Sequence, residues 1–188
     1  MKIGITGLSG SGKSYVVNFL KEQYPDFNVI DADLIAHEVI STSEEVEDYL
    51  TMRYGSKFFN SDNSVNRKEL GKFLFSNKEE LKRYDKMIHP LIMKEIEHRA
   101  FYMKGVILFD IPLLYDLGLD KYMDKIITIT CKEEDRIERL MDRDKLSRDD
   151  VLRRISNQRE HFGDKVINTS QIAKSWQLDL ILEANRWR

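Results

Sequence analysis

The residues best suited to chemistry form a glycine-rich loop near the start of the chain. Residues 7–14 are GLSGSGKS and match the pattern G-x-x-x-x-G-K-[S/T] in full. Glycines let backbone N–H groups turn around a phosphate, and the N-terminus of a following helix adds partial positive charge. Lys13 can reach the β- and γ-phosphates of ATP, and the Ser14 hydroxyl can ligate Mg²⁺. The predicted nucleotide-binding residues here are Gly7, Leu8, Ser9, Gly10, Ser11, Gly12, Lys13, Ser14 and Tyr15.

A carboxylate at the end of a later apolar run is the second candidate. Residues 106–109 are VILF, and Asp110 follows them. An acidic residue at the end of a buried strand can hold Mg²⁺ directly or through water, although a capping or turn role suits an Asp before Ile-Pro as well. The chain contains no N-K-x-D element and no D-x-x-G after this run, so a GTPase switch is not expected. These features favour a small ATP-dependent kinase.

Arginines recur late in the chain. Arg136, Arg139 and Arg143 are three and four residues apart and share one helical face, with acidic residues between them. A solvated helix with surface ion pairs is the simplest interpretation for most of them. The functional alternative is a helical lid that closes over ATP and brings arginines to the transferred phosphoryl group. We predict such a lid over about residues 136–162, with Arg139 and Arg143 joining Lys13 as catalytic residues and Arg154 as a substrate contact.

The elements that position these residues follow from the pattern of apolar segments. Strands are expected over residues 2–6, 27–30, 106–109, 125–131 and 166–167. Helices are expected over residues 13–23, 132–143 and 149–160, and a last one runs from Ile172 and Ala173 to Ala184. Strands that alternate with helices imply a parallel sheet covered on both faces. The long helical stretch between the second and third strands is too large for a simple crossover. It predicts a helical subdomain, about residues 34–104, inserted in one P-loop kinase domain that spans residues 1–188.

Composition limits the remaining function classes. The chain has 188 residues, 41% of them apolar and 33% charged, with a net charge of −2, so a broad basic face for nucleic acid is not expected. The single Cys131 cannot form an internal disulfide, which points to a reducing compartment. We recognise neither a signal peptide nor a membrane-spanning apolar run. The expected protein is cytoplasmic, without a membrane partner, and monomeric or weakly homo-oligomeric.

Several segments together resemble the dephospho-coenzyme A kinase family, in the right order and over nearly the whole chain. The resemblance implies an α/β fold of the P-loop nucleotide-kinase type, in which the inserted subdomain binds the acceptor. It also implies ATP-dependent phosphorylation of the ribose 3′-hydroxyl of dephospho-CoA, the last step of coenzyme A synthesis. The matching segments are GLSGSGKS at 7–14, DADLIAHEV at 31–39, SVNRKELGKFLF at 64–75, MIHPLI at 87–92, DIPLLYDLGLD at 110–120, RLMDRD at 139–144, RISNQ at 154–158 and VIN at 166–168.

Asp33 is the candidate for handling the acceptor hydroxyl. It stands just past the expected second strand, where substrates bind in open parallel sheets, so its carboxylate could accept or orient the proton of an attacking hydroxyl. The resemblance implies the same role. The structural alternative is an N-cap for a helix that begins near Leu34.

Further acceptor and nucleotide contacts are implied by the resemblance. His37 lies one helical turn after Asp33, and His89 precedes Pro90 within a helical stretch. The acceptor would contact His37, Arg67 and His89, together with Asp110 and Arg154. Asn168 and the residues after it would lie near the adenine of ATP.

Two other functions remain open. The sequence departs from the family at Leu8 and Ser9, at Asp116, and at Gly163-Asp164. None of these departures removes a phosphate ligand, and they leave other small-molecule acceptors open. A (deoxy)nucleoside monophosphate kinase on the same fold would not need Asp33 as a base. A non-catalytic nucleotide-binding regulator is disfavoured because the residues suited to catalysis are all present. They are Lys13, Ser14, Asp33 and Asp110.

Overall fold

Five short strands form one parallel sheet. The computed structural model describes residues 1–156, 158, 161–170 and 175–187. The strands are β1 (Lys2–Thr6), β2 (Asn28–Asp31), β3 (Ile107–Asp110), β4 (Lys125–Thr130) and β5 (Lys165–Asn168). They lie in the order β2-β3-β1-β4-β5, and every neighbouring pair is parallel. The predicted α/β fold with a five-stranded parallel sheet flanked by helices is confirmed.

Helices make up most of the remaining described chain. They are α1 (Lys13–Gln23), α2 (Ala32–Thr42), α3 (Glu44–Tyr54), α4 (Arg67–Ser76), α5 (Lys78–Tyr102), α6 (Glu133–Asp144), α7 (Arg148–Ile155) and α8 (Ser175–Ala184). The helix expected over residues 149–160 corresponds to α7, which ends at Ile155, and Ser156 lies in a turn. Residues 157, 159 and 160 lie outside the described residues, as do Ile172 and Ala173 of the expected last helix. In the part of the chain that the structure describes, no helix combines the length and apolarity that a bilayer crossing requires.

The chain divides into two compact units. One comprises Met1–Asp31 together with Met103–Arg188, and the other comprises Ala32–Tyr102. The first unit contains the sheet with α1, α6, α7 and α8, and the second contains α2 to α5.

The sheet owes its stability to strands that are apolar on both faces. Ile5 of β1, Leu108 of β3 and Ile127 of β4 are fully buried on one face of the sheet, and Phe109 of β3, on the opposite face, is 3% exposed. Helices α1 and α8 contribute to the same core, with Trp176 of α8 2% exposed. Burial of one such side chain stabilises the fold by roughly 1.5–3 kcal/mol. The core therefore provides a rigid base for the residues that follow each strand.

The parallel arrangement gathers the strand ends at one edge. Asp110, the last residue of β3, lies opposite Ile5 of β1 and Asp31 of β2. The segment that follows β1 and the carboxylate that ends β3 consequently emerge beside each other. In open parallel sheets this carboxyl edge is where ligands bind.

In the second unit, Glu80 joins two helices through exposed and partly buried hydrogen bonds. Arg53 of α3 donates from Nε and Nη2 to the two Glu80 carboxylate oxygens, both at 2.7 Å. The Tyr54 hydroxyl donates to Glu80 Oε2 at 2.5 Å. These hydrogen bonds, Arg53 first and Tyr54 second, lower the pKa of Glu80 from 4.5 to about 2. The ionised form of Glu80 is thus favoured in the folded state.

Replacement of Glu80 by Gln should lower the free energy of unfolding at neutral pH. It should also make that free energy depend less on pH in the acid range. A carboxyl whose pKa falls on folding stabilises the native state above its unfolded pKa, and the contribution is lost as pH drops from about 4.5 to about 2. We expect Glu80→Gln to lower the thermal unfolding midpoint at pH 7 and to flatten its decline below about pH 5. Circular dichroism melts across this pH range provide the measurement.

Glu97→Gln is the matched control, because Glu97 is an exposed carboxylate on the same helix α5. It should leave the melting profile unchanged. A Glu80→Gln profile parallel to that of the wild type at every pH would contradict the assignment.

Candidate active site

The glycine-rich loop lies between β1 and α1, as its sequence predicts. Gly7 has a φ of 148° and Gly12 a φ of 94°, in a region that side chains rarely adopt. A Cβ at Gly7 would lie 2.3 Å from the backbone oxygen of Ile129, which leaves no room for any other residue. Close packing of the loop against β4 therefore requires glycine.

The N-terminus of α1 is prepared to receive an anion. Gly12 is the N-cap residue and offers no side chain to the first-turn N–H groups, and no acidic residue lies in that turn. Lys13 and Ser14 are the first two residues of the helix, with Ser14 exposed. A phosphate at this position would meet both the backbone donors and the positive end of the helix dipole.

Lys13 and Asp110 meet at the carboxyl edge of the sheet. The Lys13 Nζ lies 3.6 Å from Asp110 Oδ1, and the two side chains are 13% and 11% exposed. The sequence placed these residues in one site, and the structure brings them together. The distance exceeds that of a tight ion pair, so Lys13 can turn toward an anionic ligand without losing a strong hydrogen bond.

Side chains from outside the loop hold its carbonyl groups from behind. Arg136 Nε donates to the Ser9 carbonyl oxygen at 2.8 Å. Arg139 Nη1 donates to the Ser11 carbonyl oxygen at 3.3 Å and to Thr169 Oγ1 at 2.8 Å, and the Thr169 hydroxyl in turn lies 2.7 Å from the Ser11 oxygen. In a trans peptide the C=O and the following N–H point in opposite directions. The N–H groups of Gly10 and Gly12 are thereby turned away from α6.

Two of these supporting residues were not among the predicted site residues. Arg136 was recognised only as part of the arginine face, and Thr169 only as one of the residues after Asn168 that were expected near the adenine. Arg139 was predicted to contact the transferred phosphoryl group. The structure places its guanidinium against the loop carbonyls and Thr169, and the catalytic role stays a prediction.

Arg143 and Arg154 share one carboxylate. Arg143 Nε lies 2.7 Å from Asp144 Oδ1, and Arg154 Nη1 lies 2.6 Å from Asp144 Oδ2. The hydrogen bond from Arg143, with a smaller effect of Arg154, holds the pKa of Asp144 below its usual range. The arginine side chains are 58% and 48% exposed. The structure therefore shows one surface ion pair within α6 and one between α6 and α7, and the lid and substrate roles stay predictions.

The two predicted contacts at the margin of the nucleotide site have defined surroundings. The exposed Tyr15 ring packs edge-on against Trp176, with ring centroids 5.6 Å apart. Asn168 ends β5, and its side-chain oxygen accepts a hydrogen bond from the Ser170 N–H at 2.9 Å. Asn168 thereby shapes the turn that contains Thr169, and its adenine contact stays a prediction.

The predicted acceptor residues of the second unit lie on three helices. Asp33 and His37 are exposed and one turn apart on α2, Arg67 is the exposed first residue of α4, and His89 lies within α5. Helix α2 begins at Ala32, so Asp33 lies in its first turn and is not the N-cap of a helix beginning at Leu34. The acceptor roles stay predictions.

A cavity of about 320 Å³ adjoins the phosphate loop within the first unit. One wall consists of loop residues, including Leu8 and Ser9, and another consists of the segment after β3, including Tyr115. His161 stacks on Tyr115 with ring centroids 4.8 Å apart, and Gln158 also lines the space. The cavity therefore offers apolar, aromatic and hydrogen-bonding groups next to the loop. None of the residues from outside the loop was predicted as a site residue.

Several proteins similar in sequence to this chain are named as dephospho-CoA kinases. The family model for dephospho-CoA kinase (CoaE) matches residues 1–174. A dephospho-CoA kinase of Prochlorococcus marinus is 35% identical over 192 residues, covering 95% of this chain and 88% of that protein.

Solved structures are also similar. A protein of Thermus thermophilus has a TM-score of 0.82 at 26% identity, covering 99% of this chain and 96% of its own. A dephospho-CoA kinase of Campylobacter jejuni has a TM-score of 0.69 at 23% identity, covering 99% and 98% of the respective chains, which supports the fold.

Replacement of Gly7 by Ala should damage the nucleotide site. The added methyl group would meet the Ile129 oxygen at 2.3 Å, so the loop has to shift. We expect ATP affinity to fall about tenfold or more, as measured by calorimetric titration. Gly71→Ala is the control, because a Cβ there meets only Phe75 at 4.0 Å within a helix. ATP affinity of Gly7→Ala equal to that of Gly71→Ala would contradict the packing argument.

Proposed function

Because the chain belongs to the dephospho-CoA kinase family, we propose that it transfers the γ-phosphate of ATP to the ribose 3′-hydroxyl of dephospho-CoA, forming CoA and ADP. The observation that carries the proposal is the complete phosphate loop, with Lys13 and Asp110 adjacent at the carboxyl edge of the sheet. The identity of the acceptor is inferred from the family and from the matching segments of the sequence. A cytoplasmic site of action and a monomeric or weakly self-associating chain are part of the same proposal.

The phosphate loop supplies most of the binding energy for the triphosphate. Backbone N–H groups and the α1 N-terminus hold the β- and γ-phosphates, and Lys13 places a positive charge against them. Phosphoryl transfer has a transition state with charge spread over the γ-phosphate oxygens. Donors fixed in advance stabilise this charge without reorganising during the reaction. The partly buried hydrogen bonds to the loop carbonyl groups support this fixed arrangement.

The residues present fit a Mg²⁺ ion. Ser14 offers a hydroxyl and Asp110 a carboxylate, both hard oxygen ligands at the phosphate loop. Mg²⁺ keeps several waters and takes further ligands from phosphates, so a cluster of three acidic or imidazole side chains is not required. When bound, the ion would neutralise part of the negative charge of the phosphates. Asp110 would hold it directly or through water.

Asp33 is proposed to act on the acceptor hydroxyl. It follows the last residue of β2 by two positions, and β2 is paired with β3 so that Asp31 lies opposite Asp110. An exposed carboxylate in this part of the chain can accept or orient the hydroxyl proton as the γ-phosphate is attacked.

Other residues are proposed as contacts. His37, Arg67 and His89 contact the acceptor within the helical insert at about residues 34–104, and Asn168 contacts the adenine. Arg139, Arg143 and Arg154 belong to a lid at about residues 136–162 that excludes water from the reaction.

The proposed function is tested by ADP release with ATP and Mg²⁺ against a panel of acceptors. Dephospho-CoA should support turnover, while adenosine, dAMP, dTMP, dCMP and dGMP should not. A nucleoside monophosphate as the preferred acceptor would replace the proposed function by that of a monophosphate kinase. Tight ATP binding without ADP release for any acceptor would instead indicate a non-catalytic nucleotide-binding protein.

Replacement of Asp33 by Asn separates a hydroxyl acceptor from a phosphate acceptor. A hydroxyl needs its proton accepted or oriented, so we expect the turnover rate to fall about a hundredfold or more while ATP affinity is kept. Asp48→Asn, at an exposed carboxylate of α3, is the control and should behave as the wild type. Steady-state rates and ATP titrations of both variants give the answer, and an active Asp33→Asn variant would remove Asp33 from the chemistry.

A further inference from the structure

A hydrogen-bond network joins Ser9 of the phosphate loop to Gln158, a residue 149 positions later in the chain. Gln158 Nε2 donates to Ser9 Oγ at 3.0 Å. Arg136 connects both partners, because its Nε donates to the Ser9 carbonyl at 2.8 Å and its Nη2 donates to Gln158 Oε1. The Arg136 and Gln158 side chains thus form a closed triangle of hydrogen bonds with the backbone carbonyl and the hydroxyl of Ser9.

The chemistry of these groups fixes the direction of each hydrogen bond. A guanidinium can only donate, so the Gln158 atom facing Arg136 must be the carbonyl oxygen. The Gln158 atom facing Ser9 is then the NH₂ group, which also can only donate. Ser9 Oγ consequently accepts a hydrogen bond from Gln158, and the hydroxyl hydrogen of Ser9 is left to be donated elsewhere.

Ser9 borders the cavity beside the loop, so its hydroxyl can donate a hydrogen bond to a ligand there. Ser9 and Gln158 both line this 320 Å³ space. Thr6, which lines it too, already donates its hydroxyl to the Pro112 carbonyl oxygen at 3.3 Å. Among the described residues, the hydrogen bonds include no protein acceptor for the Ser9 hydroxyl. An acceptor brought by a ligand in the cavity would complete its hydrogen bonding.

We infer that the Ser9 hydroxyl is a catalytic hydrogen-bond donor to an oxygen of the transferred phosphoryl group, and that Gln158 and Arg136 are positioning residues that direct it. The inference rests on the proposed kinase function and is independent of which acceptor is used. In the reaction, the bond between the γ-phosphorus and the β,γ-bridging oxygen breaks, and ADP leaves with the electron pair. The γ-phosphorus bonds to the acceptor oxygen, whose proton passes to a base, while Ser9 keeps its own proton.

The energetic reason is the growth of charge along the reaction. A donor aimed where negative charge develops stabilises the transition state more than the bound substrate. Loss of such a donor lowers kcat and leaves the KM for ATP nearly unchanged. A purely structural tie between Ser9 and Gln158 would instead disturb the loop and weaken nucleotide binding together with turnover.

Variants at Ser9 test the donor directly. Ser9→Ala should lower kcat about tenfold and leave the KM for ATP within about twofold. The variant lacks a hydrogen bond that stabilises the charged transition state more than the bound ATP. Ser9→Thr retains a hydroxyl and should recover most of the rate. Arg186→Ala is the control, because Arg186 is 74% exposed after α8, lies outside the proposed lid, and pairs with Glu183. It should match the wild type.

Variants at Gln158 test the direction of the hydrogen bond. A carboxylate can only accept, so Gln158→Glu should capture the Ser9 hydrogen and lower kcat at least as much as Ser9→Ala. Gln158→Met removes the amide without capturing that hydrogen and should lower kcat less. In the Ser9→Ala background, the change to Glu should add little, because the hydrogen it would capture is already absent.

The measurement is ADP release with the acceptor that the wild type uses, water included, together with ADP affinity and the thermal midpoint of each variant. Absence of turnover on dephospho-CoA would overturn the proposed acceptor, whereas the ranking of the variants would still test Ser9. Wild-type kcat in Ser9→Ala would overturn the inference. The inference would also be overturned if Ser9→Ala and Gln158→Met each lost nucleotide affinity by the same factor as kcat.

Discussion

Two guanidinium groups hold the carbonyl oxygens of the phosphate loop on the side facing α6. Arg136 binds the Ser9 carbonyl, and Arg139 binds the Ser11 carbonyl together with Thr169. Because each peptide unit points its C=O and N–H in opposite directions, these contacts turn the neighbouring N–H groups to the other side of the loop. The anion site depends on this orientation. The sheet, the glycines and α6 can all be understood as the support that maintains it.

The charges of the site balance in the same way. Lys13 lies near Asp110 at 3.6 Å, so neither buried charge is left without a counter-charge when no nucleotide is bound. ATP with its metal ion would provide each of them with a new partner of opposite sign. A member of the dephospho-CoA kinase family thus combines a rigid phosphate loop with a Lys–Asp pair whose partners can change. The backbone of the phosphate loop stays fixed, and the side chains of Lys13 and Asp110 change partners.

Local sequence predicted the sheet, the phosphate loop and Asp110, because each depends on short patterns whose meaning is set within a few residues. Strand β1 and helix α1 begin and end at the residues expected from apolar spacing. The contacts of Gln158 and Thr169 with the loop join residues about 150 positions apart, and no local pattern contains that information. Asp33 was weighed as an N-cap because the start of α2 was placed two residues late. For Arg143 and Arg154, residue type and spacing could not distinguish a surface ion pair with Asp144 from a substrate contact.

The central claim concerns where the phosphate goes, and phosphorus NMR of the reaction product tests it most directly. The account predicts a phosphomonoester signal coupled to the ribose 3′ hydrogen, formed from dephospho-CoA in step with ADP. A new phosphoanhydride signal beyond those of ADP, or inorganic phosphate as the sole product besides ADP, would contradict it.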